Sequence, residues 1–286
     1  MSQPMLSPDA RAAAQPLVTL NDGRPMPQLG LGVWQSPREV TAQAVRAALG
    51  AGYRSVDTAA IYRNEAEVGE GVRASGLDRA EVFVTTKLWN DDQGFDSALR
   101  ALDASLKRLK MDYVDLYLIH WPAPGQDRYL ESWKALVRLR EEGRARSIGV
   151  SNFAAPHLER IVGETGRAPA VNQIELHPRF QQAELRAVHQ RLGVATESWS
   201  PLGQGGLLAD AVVAKVAARH GKTPAQTIIR WHLDLGLIVI PKSVTPSRIA
   251  QNFDVFDFKL DAQDLADMAT IDDPDGRMGP NPMLFG

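Results

Sequence analysis

The sequence predicts a (β/α)8 barrel, the TIM-barrel architecture. Three observations carry the prediction. Eight short apolar runs alternate with amphipathic segments along most of the chain, the pattern of parallel strands joined by helical crossovers. The 286 residues exceed the roughly 250 that eight such units need. No proline- or glycine-rich linker divides the series. An open doubly wound sheet shows the same alternation, but eight strands in one uninterrupted series favour closure.

The elements follow in order. Residues 1–16 carry Asp9 and no hydrophobic block, so they do not form a signal peptide. They read as a flexible extension ahead of one domain over 17–286. Leu17-Val18-Thr19-Leu20 reads as a strand and Asn21-Asp22-Gly23 as its turn, with a short return strand completing a hairpin. The eight runs are 53–58, 82–87, 114–120, 147–152, 170–176, 194–200, 237–243 and 255–258. Most are continuous apolar blocks rather than strict alternations, as parallel strands covered on both faces require. Helical periodicity falls on 36–49, 65–74, 95–109, 129–142, 156–164, 182–191, 224–235 and 245–251. Ser36-Pro37 suits a helix start, and Gly50, Gly76, Gly143, Gly193 and Gly221 mark ends. The tail, 272–286, is rich in proline and glycine and reads as a loop.

Composition narrows the function. Apolar residues make up 44%, enough for one large core, and a net charge of −2 offers no attraction to nucleic acid or anionic membranes. There are no cysteines, which removes disulfides, thiolate catalysis and Cys-ligated metals and agrees with a cytoplasmic location. No apolar run approaches the ~18 residues of a spanning helix. The G-x-G-x-x-G fingerprint fails at Gly30-Leu31-Gly32, and no Walker loop or H-E-x-x-H occurs. None of the five tyrosines has Lys four positions on, and no metal site is expected.

Active-site groups of a barrel lie at the C-terminal ends of its strands. Collected there are Asp57-Thr58 with Tyr62 just beyond, Lys87, His120, Ser151-Asn152, Gln173 and Glu175, Trp199-Ser200, and Lys242-Ser243. Taken singly, a strand-end His is often a satisfied core residue, a Lys a surface charge and an Asp a helix cap. Together, an acid, a phenol, an amine and an imidazole share one rim. Those four suit proton transfer to an oxygen. A phenol with a pKa of ~10 is a poor acid at neutral pH, and a nearby ammonium lowers that pKa. A carboxylate keeps the ammonium charged and fixed, and a neutral imidazole orients a carbonyl. Asp57, Tyr62, Lys87 and His120 fit these roles. Read alone, Lys87 also suits a Schiff-base aldolase, and the set as a whole a non-catalytic nucleotide sensor.

Six segments resemble, in order, the aldo-keto reductase family. Asp57-Thr58-Ala59-Ala60-Ile61-Tyr62 resembles its D-T-A-x-x-Y element, and Thr86-Lys87-Leu88-Trp89 its strand-two lysine. Asp115-Leu116-Tyr117-Leu118-Ile119-His120-Trp121-Pro122 resembles D-L-Y-L-x-H-W-P, and Ile148-Gly149-Val150-Ser151-Asn152-Phe153 resembles I-G-V-S-N-F. Asn172-Gln173-Ile174-Glu175-Leu176-His177-Pro178 and Ile240-Pro241-Lys242-Ser243 complete the series. The stretch from Glu197 to Gly205 is most similar to the bacterial branch that includes 2,5-diketo-D-gluconate reductase.

The resemblance implies an NADPH-dependent oxidoreductase, monomeric, with the cofactor extended across the C-terminal face. It implies Asp57, Tyr62, Lys87 and His120 as catalytic tetrad, with Tyr62 as proton donor. It places Ser151, Asn152 and Gln173 at the nicotinamide carboxamide and Trp199 under the ring. Val33, Trp34, Asp57, Ser200, Leu202 and Gly203 extend the cofactor contacts. Lys242, Ser243, Val244, Arg248, Gln251 and Asn252 fall at the adenosine 2′-phosphate and adenine end. Trp34, Trp89, His120 and Trp121 form the substrate walls, suited to small aldehydes, α-dicarbonyls or keto-sugars such as 2,5-diketo-D-gluconate. Two positions depart from the common pattern: Trp199 stands where Tyr or Phe is frequent, and Gln251 where Glu is common. Glu175 and His177 are left outside the site as rim residues.

Overall fold

The computed structural model describes Ala12 and residues 15–286. The expected flexible extension over 1–16 lies largely outside the described residues. Of its last two members, Gln15 is buried and its side-chain amide donates to the Leu29 carbonyl, while the exposed Pro16 extends the hairpin pairing, its carbonyl accepting from Gln28 N at 2.9 Å.

A hairpin opens the fold. Strands β1 (Leu17–Thr19) and β2 (Pro25–Pro27) pair antiparallel. The turn needs Gly23, whose φ of 84° suits glycine. Leu20 and Met26 are buried with Leu116, Leu118, Val171 and Ile238 of the barrel strands. The hairpin is thus packed onto the strands by its apolar side chains.

The barrel follows as β3 (Leu31–Gly32), α1 (Arg38–Ala51), β4 (Ser55–Asp57), α2 (Glu65–Ala74), β5 (Phe83–Leu88), α3 (Phe95–Leu109), β6 (Val114–Ile119), α4 (Tyr129–Glu141), β7 (Ala145–Ser151), α5 (Ala155–Thr165), β8 (Val171–Glu175), α6 (Ala183–Leu192) and β9 (Ala195–Trp199). Helices α7 (Ala211–His220) and α8 (Pro224–Asp234) precede β10 (Ile238–Val239), and α9 (Pro246–Phe253) and α10 (Ala262–Ala269) end the series. The strands run parallel in sequence order from β3 to β10. Bridges Leu29↔Val239 and Gly32↔Lys242 join the two ends, so the barrel is closed. Among the described residues no helix is long and apolar enough to cross a membrane.

Local chemistry explains the helices. In α3, Ala98, Leu102, Leu106 and Leu109 form one buried stripe, and Lys107 and Arg108 lie in the last turn, where cations complement the helix dipole. Helix α8 starts with a reciprocal cap: Gln226 N donates to Thr223 Oγ1 at 3.3 Å and Thr223 N to Gln226 Oε1 at 3.1 Å, with Pro224 in the first turn. Asp210 caps α7, accepting from Val212 N and Val213 N.

Two differences from the sequence reading stand out. Segment 255–258 is not a strand; the Val255 carbonyl is taken by Arg230 Nη1 at 3.2 Å. Its place in the barrel belongs to β3, two residues too short and glycine-rich for a periodic signal. Helices α7 and α10 also escaped the periodicity.

Candidate active site

The ends of β4, β5 and β6 deliver the first groups. Asp57 ends β4 and Lys87 lies near the end of β5, both buried, while His120 follows β6 directly. Tyr62 ends a single 3-10 turn just after β4 and is partly exposed. Lys87 Nζ donates to Asp57 Oδ1 at 2.5 Å, to the Thr58 carbonyl at 2.9 Å, and lies 3.5 Å from Tyr62 Oη. His120 packs edge-on to Tyr62 and Trp89, with ring centres 5.6 and 5.3 Å apart. Its Nδ1 is buried without a hydrogen-bond partner among the described residues. The ring nitrogen left to face the cavity is Nε2.

Electrostatics assign charge states. Burial alone would discharge Lys87, but Asp57 and then Tyr62 more than offset it, so the ammonium is raised above its ordinary value. Burial pushes Asp57 up, while Lys87 and Gln173 pull it back; with the ammonium at 2.5 Å, Asp57 is the anion of the pair. Burial and then Lys87 hold His120 well below 6.5, so its ring is neutral at physiological pH. Tyr62 corrects one expectation. Lys87 does pull the phenol down, but burial is the larger effect, and the net shift is upward.

Strands β7 to β9 supply a second set. Ser151 Oγ donates to the Gln173 carbonyl at 2.8 Å, and Asn152 Nδ2 donates to the His120 carbonyl at 3.0 Å. Trp199 Nε1 donates to Asn152 Oδ1 at 2.8 Å, fixing the indole against the strand end. Asn152 and Ser200 hold φ of 62° and 49°, left-handed conformations that turn the chain sharply beyond β7 and β9. Gln173 Nε2 donates to Asp57 Oδ2 and to Glu197 Oε2, each at 2.8 Å.

These groups share a cavity of 590 Å³ at the C-terminal rim. Asp57, Tyr62 and His120 line it with Ser151, Asn152, Gln173, Trp199 and Ser200, and Trp34, Trp89 and Trp121 form apolar walls. A second cavity of 450 Å³ is lined by Leu202, Ser243, Val244, Arg248, Gln251 and Asn252. Lys242 lines both. Lys242 and Arg248 form no ion pair with another described residue. Arg248 is exposed in the first turn of α9, where free backbone N–H groups favour anions.

Val33 and Gly203 line neither cavity. The Val33 side chain, just past β3, is buried in the main apolar core. A Cβ on Gly203 would meet the Leu207 side chain 2.8 Å away, so that turn is packed on its own loop. The structure also adds groups the sequence reading passed over. Met278, Gly279, Pro280 and Phe285 of the tail line the larger cavity. Glu175 holds that tail by accepting from Met278 N at 2.6 Å and Gly279 N at 2.9 Å. A loop without periodicity gives no sign of such a role.

The comparisons agree with this geometry. Residues 27–273 match the model of the aldo/keto reductase family. An aldo-keto reductase of Mycolicibacterium smegmatis is 59% identical, covering 94% of this chain and 98% of its own. The methylglyoxal reductase DkgA of Yersinia pestis is 57% identical, covering 95% of this chain and 98% of its own. The crystal structure of a Gox0644 mutant in complex with NADPH superposes with a TM-score of 0.91 at 55% identity, covering 94% of this chain and 98% of that one. The barrel, the rim and the family match lead to one statement: the chain belongs to the aldo/keto reductase family.

Proposed function

We propose that the protein reduces small aldehydes and α-dicarbonyls to alcohols with NADPH, and that Tyr62 donates the proton. The observation that carries the reading is the chain Asp57–Lys87–Tyr62 at 2.5 and 3.5 Å, ending on the wall of a cavity that His120 also lines. The cavity fits the cofactor's reactive end. It offers the flat Trp199 ring and polar groups on Ser151, Asn152 and Gln173, and it meets the second cavity at Lys242. There Arg248 and the start of α9 suit a phosphate dianion, which needs a cation when withdrawn from water.

NADPH, when bound, supplies a hydride to the carbonyl carbon. The protein does the rest. Neutral His120 offers a hydrogen bond that orients the carbonyl oxygen. Tyr62 gives that oxygen its proton, and the Lys87 ammonium stabilises the phenolate left behind. Asp57 keeps Lys87 charged and in place. Trp34, Trp89 and Trp121 exclude water and suit a short, partly apolar substrate. Relatives named methylglyoxal reductase support an α-oxoaldehyde as the substrate class.

The aldolase alternative needs a neutral Lys87 with a free lone pair. Its ammonium has three partners and a raised pKa, which opposes that role. The test follows NADPH absorbance with methylglyoxal. The wild type turns over, and Tyr62→Phe loses at least ~10²-fold in kcat, the lower end for a general acid, while still binding NADPH. Near-normal turnover in that variant would remove Tyr62 from the role.

A further inference from the structure

Glu197 lies outside every role assigned above, yet its side chain is wholly buried in the barrel. It stands on β9 directly opposite Gln173 of β8 and Ile238 of β10. Its Oε2 accepts from Gln173 Nε2 at 2.8 Å, and its Oε1 has no partner among the described residues. The same Gln173 nitrogen donates to Asp57 Oδ2 at 2.8 Å. A primary amide carries two N–H hydrogens, and both are therefore committed to carboxyl oxygens. What Gln173 offers the cavity it lines is its carbonyl oxygen alone.

The charge count points the same way. The groups that face Glu197 are Asp57 from β4, Tyr62 beyond it, Lys87 from β5 and Gln173 from β8. One ammonium faces two carboxyls. Lys87 is already bonded to Asp57, and a second buried carboxylate without its own cation is costly. Burial and the neighbouring Asp57 push Glu197 up to about 8. Oε2 is the oxygen that accepts from Gln173.

We infer that Glu197, as a neutral carboxyl, is a positioning residue of the cofactor site: with Asp57 it locks the Gln173 amide so that only a hydrogen-bond donor can pair with it from the cavity. This rests on the cofactor reading above. The consequence is selection for a carboxamide N–H2 on the ring that Gln173 meets. A ring carrying an acetyl group in its place has no donor to offer.

The experiment measures binding, without turnover, by fluorescence titration of NADPH, NADP+ and the 3-acetylpyridine analogue of NADP+. Glu197→Gln keeps a carbonyl oxygen to accept from Gln173 and replaces the carboxyl O–H with an amide donor of similar shape, so it should match the wild type within about twofold for all three. Glu197→Leu removes the acceptor and frees Gln173 to rotate. It should weaken NADPH by roughly three- to tenfold, the worth of one neutral hydrogen bond, and reduce the preference for NADP+ over the analogue toward unity. Its thermal midpoint will fall as well, since a Gln173 N–H loses its buried acceptor, but a change in stability alone does not move the preference between NADP+ and the analogue. Glu197→Met, also without a strong acceptor, repeats the measurement should Leu fail to pack. Wild-type affinities and preference in both apolar variants would overturn the inference, as would an equal loss in Glu197→Gln. Failure of the wild type itself to bind NADPH would instead refute the proposed function.

Discussion

At Tyr62, burial and the Lys87 ammonium act on one phenol in opposite directions. Removing the ammonium leaves the upward effect unopposed. Lys87→Met should lower kcat severely and move the basic limb of any residual activity to higher pH, and an unchanged limb with substantial activity would contradict the coupling. Arg248 is argued at the same scale. Its planar guanidinium suits a phosphate dianion, and it lies exposed beside Ser243, Gln251 and Asn252 in the second cavity. Arg248→Ala should weaken NADPH roughly 10- to 150-fold, the worth of a charge-assisted hydrogen bond at ~1.5–3 kcal/mol, and leave NADH nearly unchanged. Equal losses for the two cofactors would remove the phosphate contact. The residue types at Tyr62, Lys87 and Arg248 were legible in the sequence because each follows a recognisable strand or helix start. The upward shift of Tyr62 was not, because desolvation depends on what packs around it.

Elements are tied together by buried polar links as well as by apolar stripes. His189 of α6 connects two strands. Its Nε2 accepts from Asn172 Nδ2 of β8 and its Nδ1 donates to Thr196 Oγ1 of β9, each at 2.8 Å. These bonds require the neutral ring, and burial, then Arg186, lowers its pKa to about 4. The unfolded chain, with His near 6.5, binds more protons than the native state between about pH 4 and 6.5. Stability therefore falls as pH drops through that window. From pH 7 to pH 5 the loss due to His189 is about 2 kcal/mol on this linkage. His189→Gln is less stable at pH 7 but should lose less on acidification. Urea unfolding of both proteins at the two pH values measures the difference, and identical losses would show that His189 does not titrate between the two states. Helices α2 and α3 were legible with the bounds they adopt, because the buried apolar stripe of each lies within the segment itself.

For the molecule as a whole, closure of the barrel rests on its shortest strands. Strands β3 and β10 have two residues each, and the seam between them is held by Gly30 N to the Val239 carbonyl at 2.9 Å and Gly32 N to the Pro241 carbonyl at 3.3 Å. A Cβ on Gly32 would lie 2.7 Å from the Ile240 carbonyl oxygen, a backbone atom that cannot swing aside. Gly32→Ala should cost ~1–3 kcal/mol as overpacking and lower the thermal midpoint by about 2–4 °C per kcal/mol. An unchanged midpoint would show that the seam can widen freely. Phe285 packs on Trp121 with ring centres 4.6 Å apart, so the cavity wall formed after β6 is completed by the end of the tail.

The sequence by itself determined the alternation of strands and helices, most helix ends, and the kinds of residue at the rim. These are written in neighbours along the chain: apolar period, capping side chains, and polar residues at the end of apolar runs. The tertiary structure alone decided which segment closes the barrel. It also decided that Val33 belongs to the core, that the tail walls the cavity, and that Gln173 stands between two carboxyls. Each of those depends on what lies across the barrel, and so does the charge of a buried group, since its pKa follows from the water it loses and the partners it gains.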